Sequence, residues 1–231
     1  FRRHIELFYE IYNSWGFKKE IRCFASPCGC NGNLRENADY IKVLKEFGIC
    51  YWNNGWYDVD YNVDVYDGII CAKGFGVADW NAYDVEPKYL PLGLCGDEEF
   101  PKTDFCFHWT NFLRYHPESN FERIPEWVKY FNRQAEVFGT MLSRDTAFAE
   151  SQALYNRFAT LVFEDGKCII DASAVDAKNA IGKKDEFYIS FKNGITPKSC
   201  TGAEISLYET KNEFKTYKIE RKGSDKIIIE Y

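Results

Sequence analysis

Phe47-Gly48-Ile49-Cys50-Tyr51-Trp52 is the stretch that decides the fold class. Ahead of it, Leu34, Ala38, Ile41, Leu44 and Phe47 recur at helical spacing and form one apolar stripe. Gly48 stops that helix, as a left-handed C-terminal cap does, and Ile49 to Trp52 reads as a short buried strand. The same phrase (helix, aromatic residue, glycine, short strand) occurs on either side. Before it, Ile5, Phe8, Ile11, Tyr12 and Trp15 form a buried stripe that Gly16 ends, and Ile21 to Ala25 is the strand that follows. Later, Pro125 opens a helix, where its missing N–H costs nothing. Trp127, Val128, Phe131, Ala135 and Phe138 give its apolar face, Gly139 ends it, and Thr140 to Leu142 follows as a strand. Helices alternating with short apolar strands imply parallel pairing with right-handed crossovers. Because the chain starts on a helix at Phe1, without a methionine, the expectation is the later part of a (β/α) barrel whose first strands lie upstream.

Between these copies, Gly68 to Ala72 reads as another buried strand, and Asp79 to Cys95, rich in Tyr, Pro, Gly and Asp, as a long loop over the strand ends. Thr103-Asp104-Phe105-Cys106-Phe107-His108-Trp109-Thr110-Asn111 follows. Phe105 to Phe107 is an apolar run typical of a strand buried on both faces. Directly behind it stand an imidazole, an indole and two hydrogen-bonding side chains. In parallel β/α architectures chemistry gathers where strands end, since there the side chains of several strands converge on open space. Four strand exits carry such residues: Ser26-Pro27-Cys28-Gly29, Asn53-Asn54-Gly55-Trp56, His108-Trp109-Thr110-Asn111 and Ser143-Arg144-Asp145. Singly each reads as a turn or a cap; together they predict a polar, ring-lined cleft.

The period changes near Tyr155. Phe158–Phe163, Lys167–Ser173, Phe187–Phe191, Ile205–Tyr208, Phe214–Ile219 and Lys226–Glu230 alternate apolar with polar residues. Turn pairs punctuate them, among them Asp165-Gly166, Asn193-Gly194, Lys211-Asn212 and Lys222-Gly223. The chain is therefore expected to be α/β: a partial (β/α) barrel of the deacetylase or glycoside hydrolase type over residues 1–152, then a small antiparallel β-sandwich over residues 153–231.

Composition narrows the function. Nineteen Phe, sixteen Tyr and six Trp make 18% of the 231 residues aromatic, more rings than a core requires, and rings suit stacking on the C–H faces of sugars. The net charge is −6 with no basic cluster, which argues against nucleic acid, whose binding rests on Lys and Arg neutralising phosphates. No apolar run reaches the ~20 residues that would cross a bilayer. Nine cysteines are scattered along the chain, and only Cys28-Gly29-Cys30 is close-spaced, so a four-ligand structural zinc site has no second pair. Cysteines in apolar runs behave as small hydrophobes. Unpaired thiols point to a cytoplasmic setting.

The helix, Trp15-Gly16-Phe17, a strand, then Phe24-x-x-Pro27-x-Gly29 and a helix ending in Phe47-Gly48 resemble the second half of the polysaccharide deacetylase superfamily. Ser26-Pro27-Cys28-Gly29, Asn54-Gly55-Trp56 and Phe107-His108 stand where that family has its Arg-x-Pro-(aromatic)-Gly, Asp-Trp and Leu-x-His elements. The resemblance spans roughly residues 1–145 and departs at the motif arginine, replaced by Ala25 or Ser26, and at the aspartate before tryptophan, replaced by Asn54 or Gly55. It implies removal of N- or O-acetyl groups from a polysaccharide or oligosaccharide. It also implies an extracellular setting and a divalent, zinc-like metal whose Asp and two His ligands are not in this chain but in an upstream part, which could be a separate chain. His108 resembles the general acid of such a site, with Asp145 beside it to hold its tautomer. Asn53, Trp56, Trp109, Asn111 and Arg144 are the expected substrate-binding residues. Two other readings stay open: a carbohydrate-binding barrel without catalysis, and a glycoside hydrolase using Asp145 with one of Asp58, Asp60 or Asp64.

Overall fold

The computed structural model describes residues 1–25, 38–53, 63–72, 75–76, 105–106, 116–138, 146–192 and 194–231. Helix α1 (Arg2–Ser14) leads to strand β1 (Cys23–Ala25), and α2 (Ala38–Glu46) leads to β2 (Tyr51–Asn53). A hairpin follows, β3 (Val63–Tyr66) and β4 (Ile69–Ala72). At the end of α2, Gly48 adopts φ 77°, its N–H bonds Lys45 O at 3.0 Å, and the Ile49 N–H bonds Leu44 O at 3.0 Å. This is the capping pattern that needs a left-handed residue, and glycine takes it without a Cβ penalty. β1, β2 and β4 lie side by side and parallel, as the alternation of helices and strands predicts.

The hairpin is not in the sequence reading, which takes only Gly68 to Ala72 as a strand. Asp67 and Gly68 both have positive φ (45° and 84°), the two-residue turn whose twist matches a hairpin. β3 pairs antiparallel with β4, so the sheet order is β1-β2-β4-β3 and β3 takes the edge on which a further parallel strand would add. A separate parallel pair, β5 (Phe75–Gly76) and β6 (Phe105–Cys106), holds the start of the 105–107 run. Among the described residues these strands do not close into a barrel. The chain is mixed α/β with several antiparallel sheets.

Two helices depart from expectation. On α1 the inward residues are Ile5, Tyr9 and Tyr12, while Phe8, Ile11 and Trp15 are 46%, 43% and 72% exposed. The ring of Tyr9 stacks on Phe47 at 5.6 Å and its hydroxyl reaches Phe47 O at 3.3 Å, which turns the helix to show that face. Helix α3 (Pro117–Phe138) begins eight residues before Pro125 and runs through it. Pro117 holds the first helical position instead, and the His116 carbonyl accepts from the Ser119 N–H and Oγ at 3.0 and 2.7 Å. Pro125 lies on the exposed side, where the Phe121 carbonyl it leaves unbonded meets water, while Trp127 and Tyr130 bury the opposite side. Gly139 and Thr140 to Leu142 lie outside the described residues.

Helix α4 (Thr146–Phe158) precedes β7 (Thr160–Glu164) and β8 (Lys167–Asp171), short helix α5 (Ser173–Ala177), then β9 (Glu186–Lys192), β10 (Ser199–Thr201), β11 (Ala203–Lys211), β12 (Phe214–Arg221) and β13 (Lys226–Glu230). They form two antiparallel sheets, β10-β13-β8-β7 and β11-β12-β9. Cys168, Ile170, Ile227 and Ile229 of the first sheet share one core with Phe187, Phe191, Tyr217 and Ile219 of the second. That core continues without a break into Tyr51, Val63 and Ile70 of the parallel sheet. Its other face, through Trp52, Ile69 and Cys71, packs on Ile41 and Leu44 of α2. Residues 152 and 153, where the sequence divides the chain, both lie inside α4, whose Ala147, Ala153, Leu154 and Tyr155 belong to the shared core.

Candidate functional site

The parallel strands define one edge of the molecule. Ala25 is level with Asn53, and Asn53 with Ala72, so β1, β2 and β4 end in register. Sequence dictates this alignment. Tyr51 and Trp52 are adjacent yet only 1% and 2% exposed, pointing to opposite faces, so the strand must be covered on both sides.

Of the expected site residues, Asn53 is the last residue of β2, the central strand of the three. Trp56, His108, Trp109, Asn111, Arg144 and Asp145 lie outside the described residues, as do Asp58 and Asp60. Asp64 is described, and it is engaged elsewhere. Its carboxylate accepts from Lys178 Nζ at 2.9 Å and from the Val65 N–H at 2.7 Å, tying β3 to the end of α5. A carboxylate bound this way holds the two elements together. Among the described residues, no three His, Cys, Asp or Glu side chains converge as a metal would require. The zinc-like ion that the resemblance implies has its expected ligands outside this chain, and the described residues do not bear on it.

The densest polar group is a bracket that sequence reading misses. Arg221, at the end of β12 with its side chain 3% exposed, donates to Asp176 Oδ1 at 2.9 Å and Oδ2 at 2.5 Å, to Tyr155 Oη at 3.1 Å and to Ser224 O at 3.1 Å. Lys183 Nζ approaches Asp176 at 3.0 Å and Asp185 at 2.8 Å. The Arg221 guanidinium bonding Asp176 holds its carboxyl well below the usual range. Every strong donor here has an acceptor, so the bracket joins α4, α5 and β12 and is not a reactive site. No local signal announces it, since its members lie up to 66 residues apart.

The thiols are equally quiet. Among the described residues Cys50, Cys71, Cys168 and Cys200 carry free thiols. Burial pushes the thiols of Cys50, Cys71, Cys168 and Cys200 up, so none is a ready thiolate nucleophile. No described helix is long and apolar enough to cross a membrane. No protein-family model, curated protein or solved structure matches this chain.

Proposed function

We propose that the chain handles a glycan at the shared end of its parallel strands, and that its reaction is hydrolytic removal of acetyl groups from a polysaccharide or oligosaccharide. The observation that supports this is the ladder Ala25–Asn53–Ala72, which ends β1, β2 and β4 on one line, with Asn53 on it. With Trp56, His108, Trp109, Asn111 and Arg144 of the expected set, Asn53 would suit a flat, hydroxyl-rich ligand: rings for stacking, amides and a guanidinium for hydroxyls. In this reading the bond from the acetyl carbon to the sugar oxygen or nitrogen breaks. Water supplies the hydroxyl that completes acetate, and His108 delivers a proton to the departing atom. A barrel of the deacetylase type belongs to the same proposal.

The test is acetate release from N- and O-acetylated oligosaccharides by the intact protein, with and without added zinc, beside binding of the same sugars. Replacing His108 by alanine should lower acetate release by about 10²-fold or more while the melting temperature holds. Binding without acetate release supports the non-catalytic glycan reading, whose features are the replaced motif arginine and aspartate. Neither binding nor release rejects both.

A further inference from the structure

The two antiparallel sheets have four edge strands, and three of them are protected. β9 is covered by α4: Gln152 accepts from the Tyr188 N–H at 2.7 Å and donates to Tyr188 O at 3.3 Å, standing in for a neighbouring strand. β11 is interrupted by a bulge between Leu207 and Glu209 and carries Glu204, Glu209 and Lys211. β10 is three residues long. β7 has none of these devices. Thr160-Leu161-Val162-Phe163-Glu164 has no proline, bulge or lysine, and no described strand lies on its outer side. Unprotected edges of this kind are templates for pairing with another strand.

β7 also overhangs the core. Leu161 and Phe163 are level with Ile170 and Cys168, which are 1% and 0% exposed, so they share the inner face of their sheet. Yet Leu161 and Phe163 are 46% and 60% exposed, because the facing sheet has one strand fewer. Their backbones face outward too. The Ala172 N–H bonds Asp225 O on the β13 side of β8, so residues 168 and 170 bond β13, while 167, 169 and 171 bond Glu164, Val162 and Thr160. The N–H and C=O groups of Leu161 and Phe163 are thus left directed at the free edge.

We infer that β7 is a self-association strand, pairing antiparallel with β7 of a second copy of this chain to make one continuous eight-stranded sheet. The occupant follows from the strand's own order. With a two-fold axis at Val162, Leu161 falls opposite the partner's Phe163, and both present outward N–H and C=O groups, so the two copies form two doubly bonded pairs. Thr160 falls opposite the partner's Glu164, so no like charges meet. Glu164 and Asp165 of the two copies lie at opposite ends of the paired strands, so the acidic ends stay apart. The pairing also covers the exposed Leu161 and Phe163 with one another, the arrangement of an isologous interface.

Sedimentation equilibrium of the full chain, read with the variant Phe163→Pro, tests this. Proline at 163 removes an outward N–H and no bond to β8, so the dimer constant should weaken by about 10²-fold or more with the melting temperature of the monomer kept. Phe163→Lys should do the same by charge, and guards against a proline that unfolds the strand. Val162→Cys should give a disulfide between two copies through residue 162, identified by mass spectrometry, because directly opposed residues at a two-fold axis lie within bridging distance. A wild-type chain that stays monomeric overturns the proposal, whether or not it captures an added alternating Thr-Val peptide. So does a dimer that survives both position-163 variants, or one with no bridge at 162.

Discussion

Tyr51 and Trp52 are neighbours in β2 and both are almost wholly buried, whereas in β13 Ile227 and Ile229 are buried and Lys226 and Glu230 are exposed. The parallel sheet needs a layer on each face: α2 on one, α4 and the antiparallel sheets on the other. Each antiparallel sheet needs one layer, and the two supply it to each other. The difference is visible at the joint between these regions. Tyr51 Oη donates to Gly182 O at 2.6 Å, the Ile181 N–H donates to Gly68 O at 2.7 Å, and Arg157 donates to Val63 O at 2.8 Å. The parallel sheet is therefore finished by residues beyond position 150, and damage there should spread to it. Damage on the α1 side should stay local.

The hardest strike at this contrast is the Arg221 bracket. Asp176→Ala leaves a buried guanidinium without its main partner and should cost about 3 kcal/mol in denaturant unfolding, at the low end for such pairs because Asp176 is a third exposed. Fluorescence of Trp52 and of the whole chain should shift together; a Trp52 signal that stays at the wild-type midpoint would separate the two regions. The same residue predicts an acid limb. A carboxyl held below its ordinary 3.8 stabilises the fold fully above about pH 4 and loses that contribution as pH falls below it. Asp176→Asn should flatten the decline of stability between about pH 4 and pH 2. An unchanged limb would show the bracket to be neutral in folding.

Gly182→Ala comes next. Gly182 has φ 83°, and a Cβ there would meet Cys50 Sγ at 2.7 Å and Tyr51 Oη at 3.0 Å. Left-handed strain and overpacking together should cost about 2–3 kcal/mol by thermal or denaturant melting. A neutral result would mean the joint has slack. Gln152→Leu removes the clasp on β9 and should cost about 1–2 kcal/mol, and it should raise hydrogen exchange at the Tyr188 amide. Exchange there that stays slow would show that α4 protects the edge by bulk alone. The smallest effect is expected for Tyr9→Phe, whose hydroxyl makes two long bonds to Phe47 O and Ile21 O at 3.3 and 3.4 Å, and whose loss should cost less than about 1 kcal/mol. A loss that lowers the midpoint of the antiparallel sheets would break the asymmetry between the regions.

Much of this was legible in the residues. The strands at Ile21–Ala25, Ile49–Trp52 and Gly68–Ala72 are present with parallel pairing, and the alternating runs after Tyr155 are all strands with Asp165-Gly166 at a turn. The Val63–Tyr66 strand is absent from the sequence reading although Asp67-Gly68 is a hairpin signal, because Val63-Asp64-Val65-Tyr66 is a shorter and more polar run than Ile69 to Ala72 beside it. At the candidate site, only the common line of the strand ends was legible and is described. The reason is that Asn53 ends a described strand, and the other chosen residues fall in the segments beyond.

Local physics sets what a sequence determines by itself here. Apolar period, glycine after a helix and a two-residue turn each involve neighbours within a few positions, so helix, strand and hairpin follow from them. Tertiary structure decided which of those surfaces are covered. Phe8 and Trp15 carry the same apolar signal as Leu44, yet they are exposed and Leu44 is not. Pro125 carries a helix-start signal, yet the helix runs through it. Leu161 alternates as Ile170 does, yet it overhangs the core because the facing sheet is one strand short. Burial is a property of partners distant in the chain, as Tyr51 and Gly182 are at 131 residues apart, and no period in one segment records whether its partner will arrive.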